Sequence, residues 1–276
     1  MIVDAHQHFW ALARHDYTWL TPVRRAIYRD FEPADLEPHL IRNGVDMTVL
    51  VQAAPSERET QYLLDLAART PWVAGVVGWI DLASAQAPSV IERLAQNSRL
   101  KGLRPMLQDL DDDRWLLRAD IAPAIEAMIA HKLRFDALIK PRHLTVILQF
   151  AERYPALPVV IDHGAKPNIA RSEWTPWSMH IRRLAASRPI FCKLSGLVTE
   201  AGPQWSVSQV APYVEYLVQE FGASRLMWGS DWPLVEEAGG YDEWYRSARA
   251  ALGGQTPSAL AEIFGGVAMD FYGLAR

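Results

Sequence analysis

The chain opens Met1-Ile2-Val3-Asp4-Ala5-His6-Gln7-His8, a short apolar run closed by two histidines two residues apart. In a β-strand successive side chains alternate faces, so Asp4, His6 and His8 are expected on one side, with both imidazoles meeting where the strand ends. Two convergent imidazoles hold a divalent metal or polarise a carbonyl. Two later apolar runs end in similar chemistry, one in Asp162-His163 and one in Gly229-Ser230-Asp231-Trp232-Pro233. Metal ligands and acid-base groups thus recur at run ends.

Those ends share a rim only if the fold brings them there. Short apolar runs alternate with helix-patterned segments throughout, the signature of βα units and a parallel sheet. We read strands at Ile2 to His8, Met47 to Ala53, Val73 to Ile80, Leu100 to Arg104, Leu133 to Ala137, Val159 to His163, Ile190 to Ser195 and Leu226 to Asp231. Eight strands alternating with helices predict an α/β fold, a (β/α)8 TIM-type barrel, and 276 residues suit one such domain spanning 1–276. Between them, Ser56 and Glu59 predict a capping box, Asp120 a helix cap with Pro123 in the first turn, and Gly222 the stop of a helix over Val207 to Phe221. Gly265-Gly266 is expected to stop another.

In such a barrel the chemistry gathers at the C-terminal ends of the strands. Arg104 ends the fourth strand, where it would pin a hydroxyl or carboxylate of a substrate or pair with a rim acid such as Asp109. Gln52 ends the second, to hydrogen-bond a hydroxyl or to anchor a loop. The first connection, Phe9 to Gly44, carries Trp10, Tyr17, Trp19 and Tyr28; it is expected over the mouth, with Trp19 and Tyr28 as substrate contacts, or as a cluster sealing one barrel end. Asp162 alternates away from His163 and reads as a strand-to-helix anchor. Lys193 shares a strand face with Ser195, paired or facing substrate, and Lys166 lies in a loop where it could contact an anion. His15, His39, His131, His143 and His180 read as surface or packing residues.

Composition narrows the partners. A net charge of −4, with no run of Lys or Arg, gives no footprint for nucleic acid or for an anionic membrane, which leaves a small-molecule substrate. Cys192 is the only cysteine and lies in a buried-strand pattern, which excludes an intrachain disulfide and fits a reducing, cytoplasmic setting. No apolar window reaches membrane-span length. Oligomeric state is not legible.

Six motifs taken together resemble the amidohydrolase superfamily: Asp4 to His8, Val51-Gln52-Ala53, Gly102-Leu103-Arg104-Pro105, Asp162-His163-Gly164-Ala165-Lys166-Pro167, Lys193-Leu194-Ser195-Gly196 and Gly229 to Pro233. The nearest resemblance within it is to the sugar and pyrone lactonases. It implies a hydrolase that opens a sugar lactone, L-fuconolactone-like, to its aldonic acid. Asp231 would be the general base that activates water, and His6, His8 and His163 would stabilise the oxyanion. The same four residues would ligate one divalent, zinc-like ion if a metal is bound; metal-independent catalysis is the other option the resemblance leaves open. Two-metal members carry a bridging lysine at the end of strand four, where this chain has Arg104, so a binuclear centre is not expected. The rivals are a one-metal amidohydrolase or decarboxylase acting on another small metabolite, and a non-catalytic sugar-acid binding barrel.

Overall fold

The structure, a computed structural model, describes residues 1–187 and 190–275. Eight parallel strands follow chain order in one sheet: β1 (Val3–Gln7), β2 (Met47–Val51), β3 (Val73–Gly78), β4 (Leu100–Leu103), β5 (Arg134–Ala137), β6 (Val159–Ile161), β7 (Ile190–Leu194) and β8 (Leu226–Trp228). The sheet closes on itself through a parallel bridge between Gln7 and Trp232, with His8 N donating to the Trp232 carbonyl at 2.7 Å and Asp231 N to the His6 carbonyl at 2.8 Å. The predicted (β/α)8 barrel is therefore present. Most strands stop a residue or more earlier than expected, which leaves the functional side chains on the first loop positions beyond them.

One expectation fails at β1. Val3 and Ala5 pack with Val49, Val51, Val77, Val160 and Met227 inside the barrel, whereas the Asp4 carboxylate accepts from Ser230 N at 2.8 Å and the Gln7 amide donates to Thr48 Oγ1 at 3.0 Å. The register with β2 shifts between Asp4 and Gln7. Such an irregularity re-aims every side chain after it. His6 and His8 consequently face the barrel mouth, while Asp4 sits on the other side, stitching β1 to the segment after β8.

Local signals were partly realised. Ser56 Oγ accepts from Glu59 N at 3.0 Å, starting the helix Glu57–Arg69, but the Glu59 carboxylate reaches Ala53 N and Ala54 N rather than Ser56. The acid thus ties the helix to the end of β2. Asp120 does not cap; it pairs with Arg118, and Ile121 stands at the start of the helix Ala122–Ala130. Gly222 does end the helix Val207–Phe221, at φ +69°. Gly265 and Gly266 do not stop a helix: they form a π-helical turn that leads into the helix Val267–Tyr272, and a side chain at Gly265 would strike the Met1 carbonyl. That close approach lets Tyr272 plug the far end of the barrel, where Lys101 also donates to the Gly273 carbonyl at 3.0 Å. No helix is long and apolar enough to cross a membrane among the described residues.

Candidate active site

The barrel brings His6, His8, His163 and Asp231 together at its C-terminal mouth. Asp231 Oδ1 lies 3.4 Å from His8 Nε2, 3.7 Å from His6 Nε2 and 3.8 Å from His163 Nε2. It is buried and has no hydrogen-bond partner among the described residues. Burial opposes ionisation of Asp231, but in acid, where the imidazoles take up protons, their positive charge, that of His163 first, outweighs burial and holds the carboxyl below its usual range. Burial pushes the histidines the other way: His6 and His8 fall below the ordinary imidazole value, and His163 drops to about 4. At neutral pH the cluster is three neutral rings around one carboxylate.

Hydrogen bonds set which nitrogen faces inward. His8 Nδ1 lies 2.8 Å from the Val51 carbonyl, which can only accept, so neutral His8 presents the Nε2 lone pair to Asp231. A lone pair facing a carboxylate oxygen across 3.4 Å calls for a proton or a cation between them. His163 Nδ1 lies 2.8 Å from Ser195 Oγ, a hydroxyl that serves either tautomer. Oxygen and imidazole donors of this kind suit a zinc-like ion, and His6, His163 and Asp231 offer ligand atoms within 4.8 Å of one another. The orphaned Asp231 Oδ1 makes that fit concrete, although Arg104 Nη1, 3.3 Å from His6 Nε2, would share that lone pair.

Backbone geometry aims these groups at a cost. Asp231 has φ +58°, and His163, Gly164, Ala165 and Lys166 have φ of +56°, +56°, +62° and +52°, a full left-handed turn. Left-handed helical backbone costs roughly 1–2 kcal/mol per non-glycine residue, and such strain collects at functional sites. The turn is held by Lys166 N donating to the His163 carbonyl at 2.9 Å and Trp177 Nε1 to the Gly164 carbonyl at 2.7 Å. Gly196 and Gly229 make room: a Cβ on Gly196 would lie 2.6 Å from His163 Nδ1, and one on Gly229 would lie 2.7 Å from His6 Cβ.

Beneath His6 lies a buried ion lattice that the sequence reading did not see. Lys193 Nζ meets Asp136 Oδ2 at 2.5 Å, Asp162 Oδ1 at 3.1 Å and His6 Nδ1 at 3.1 Å; Arg104 meets Asp162 Oδ2 at 3.1 Å; and Tyr272 donates to Asp136 at 2.7 Å. Asp162 is therefore no strand-to-helix anchor. Burial would raise its pKa, but Lys193, His6 and Arg104 hold it well below the usual range. Arg104 pairs with Asp162 rather than with a rim acid and also donates to the Gln52 carbonyl.

A cavity of about 740 Å³ opens above the cluster, lined by His8, His163, Asp231 and Arg104 and, further out, by Trp19, Trp79 and Trp115. Trp19 is fixed there by its Nε1 donating to the Ala53 carbonyl at 2.7 Å. Tyr28 does not line the cavity; it borders a separate hollow with Leu12, His15 and Tyr17. Gln52 is fully buried and donates to the Arg104 carbonyl at 2.8 Å, which makes it an anchor rather than a cavity wall. Both expectations of the first connection are partly met, since Trp10 and Phe31 form a buried T-shaped pair with ring centres 5.4 Å apart while Trp19 faces the mouth. Of the outlying histidines, His143 is buried and accepts from Lys140 N at 3.0 Å. Cys192 is buried, and its thiol is pushed up by that burial, so it is inert packing.

A closed parallel barrel that gathers three imidazoles and a carboxylate at the C-terminal ends of its strands has the architecture of a barrel hydrolase. The amidohydrolase family model matches residues 3–274, and the chain belongs to this family. It is 50% identical to an L-fucono-1,5-lactonase of Burkholderia ambifaria over 99% of this chain and 96% of that one. A second L-fucono-1,5-lactonase, from Burkholderia multivorans, is 35% identical over 99% and 96% of the two chains. A crystal structure of an amidohydrolase from Burkholderia multivorans with bound zinc superposes with a TM-score of 0.94 at 33% identity, covering 100% of both chains.

Proposed function

We propose that this protein is a lactonase that opens an L-fucono-1,5-lactone-like sugar lactone to its aldonic acid. The observation that carries the reading is Asp231 Oδ1, an ionised, buried oxygen with no hydrogen-bond partner at the mouth of a cavity. As water attacks the lactone carbonyl, Asp231 takes its proton; when the acyl–oxygen bond of the ring breaks, the same proton passes to the departing ring oxygen, so the product is a hydroxy acid and Asp231 is again a carboxylate. Charge on the former carbonyl oxygen is met by Arg104, a fixed cation lining the cavity, and by His163 in its Nε2–H form. His8 cannot donate while its Nδ1 proton is held by Val51, so its part is to face Asp231 with a lone pair.

His6, His163 and Asp231, with His8 beside them, would hold one zinc-like ion, which when bound would polarise the lactone carbonyl and acidify the attacking water. Elemental analysis of the purified protein, paired with activity before and after chelation, tests that arrangement. The function itself is tested by following acid release with a pH indicator across L-fucono-1,5-lactone, other aldonolactones and cyclic amides of the same ring size. Ring opening confined to the lactones is expected. Amide turnover in its place would favour the amidase reading, and tight lactone binding without acid release would favour a binding barrel.

A further inference from the structure

We propose that Lys166 and Glu200 form a clamp for adjacent hydroxyls of the substrate, and that this pair selects polyhydroxylated lactones over bare ones. The inference deepens the lactonase reading and rests on it. Its first support is how the two side chains are delivered. The left-handed turn His163 to Lys166 carries an i to i+3 hydrogen bond, and with three residues per turn its first and fourth side chains leave on the same side. Gly164 and Ala165, between them, are buried, whereas His163 and Lys166 both line the cavity. The strained turn therefore aims a lysine at the space above a cluster histidine.

Glu200 arrives from the other flank. It stands in the short helix Leu197–Ala201, which starts from Gly196, the glycine packed against the His163 ring. Glu200 and Thr199 both line the cavity. Lys166 Nζ and Glu200 Oε1 are 3.8 Å apart, with side chains 20% and 29% exposed. That separation exceeds hydrogen-bonding distance, and among the described residues neither head group has a hydrogen-bond partner. The other charged pair on the cavity wall is different: Arg24 and Glu237 are joined by two hydrogen bonds. Arg104 is likewise committed, to Asp162 and to the Gln52 carbonyl.

An ammonium can only donate and a carboxylate can only accept, whereas a hydroxyl does both. A hydroxyl between Lys166 and Glu200, or two on neighbouring carbons, would accept from the lysine and donate to the glutamate. A bare lactone has nothing to offer the pair and would leave both charges facing its carbon skeleton. The clamp thus reads hydroxyls, while the histidine and aspartate cluster treats any lactone carbonyl alike.

The test compares kcat/KM on L-fucono-1,5-lactone with that on δ-valerolactone for the wild type, Lys166→Met and Glu200→Gln. A hydrogen bond to a charged group contributes enough that each substitution should lower the ratio of the two values about 10- to 100-fold, mainly through KM on the sugar lactone. The double variant should lose less than the product of the single losses, because the two residues share one target. Lys166→Arg should recover part of the loss. Equal losses on both lactones, or none on either, would overturn the clamp. If the wild type opens neither lactone, the lactonase reading fails and takes the clamp with it.

Discussion

Asp231→Asn separates chemistry from stability at one atom. The amide keeps the size of the carboxylate and tolerates the left-handed backbone, φ +58° at this residue, at least as well as aspartate does. It cannot accept a proton from water, so the loss of a general base is expected to cost 10² to 10⁴ in kcat, about 3–5 kcal/mol of barrier. Stability should move the other way. In the wild type, Oδ1 faces the His8 Nε2 lone pair at 3.4 Å with no proton between them and is buried without a hydrogen bond. An asparagine NH₂ in that place would supply the missing donor, and one recovered hydrogen bond contributes about 1 kcal/mol. The assay pairs indicator-monitored lactone opening with urea unfolding of the chelated protein. Turnover within tenfold of the wild type would refute the base assignment. A variant less stable by more than about 1 kcal/mol would refute the claim that Oδ1 is held against the interest of the fold, since restoring the donor should then have helped.

Three further outcomes follow from the geometry. Gly196→Ala would push a Cβ to 2.6 Å from His163 Nδ1 and 3.1 Å from Asp231 Oδ2 at φ +61°, so lactone opening should fall at least tenfold with the fold retained by circular dichroism; unchanged kcat would count against the close approach. Lys193→Met strands the buried carboxylates of Asp136 and Asp162, and urea titration should show about 3–5 kcal/mol lost; a loss under about 1 kcal/mol would mean the lattice is not what holds them. Burial pushes Glu59 up to about 8, against the N–H groups of Ala54 and Ala53, from the ordinary glutamate value near 4.5. Because folding raises this pKa, the folded protein binds the extra proton, so the Glu59 contribution is intact below about 4.5 and is lost as pH climbs towards about 8, by at most about 5 kcal/mol. Urea midpoints should therefore fall over that window in the wild type and fall less in Glu59→Gln; parallel curves would remove Glu59 as the cause.

The barrel was legible because burial on both faces leaves a plain trace, short runs such as Met47 to Val51 and Val159 to Ile161 that alternate with helical stripes. The rim residues were legible for the same reason, since a run's end marks the mouth. Strict alternation failed at Asp4 because an irregular register adds no letter to the sequence: Ala5 and His6 look like any strand pair. The ion lattice was hidden differently. Lys193, Asp136 and Asp162 stand 26 or more positions apart in the chain, and each taken alone is an ordinary charged residue, so their meeting is a property of barrel closure. Tyr28 misled because the long aromatic connection folds into two parts, and only the part around Trp19 reaches the cavity.

The lattice also explains why the mouth is reactive. Lys193 and Arg104 carry two positive charges and Asp136 and Asp162 two negative ones, so the formal charges beneath His6 cancel. Buried charges persist only when paired, and here the pairing is completed within the barrel interior. Asp231 is left out of that balance, and its nearest neighbours are neutral imidazoles. The carboxylate therefore keeps a full negative charge in a desolvated place, offset only in part by Arg104 through the shared ring of His6. Any proton or cation arriving from the cavity falls towards one oxygen. On the proposed reading, a water bound beside that oxygen gives its proton to Asp231 as it attacks, and that loss is what makes the water a nucleophile.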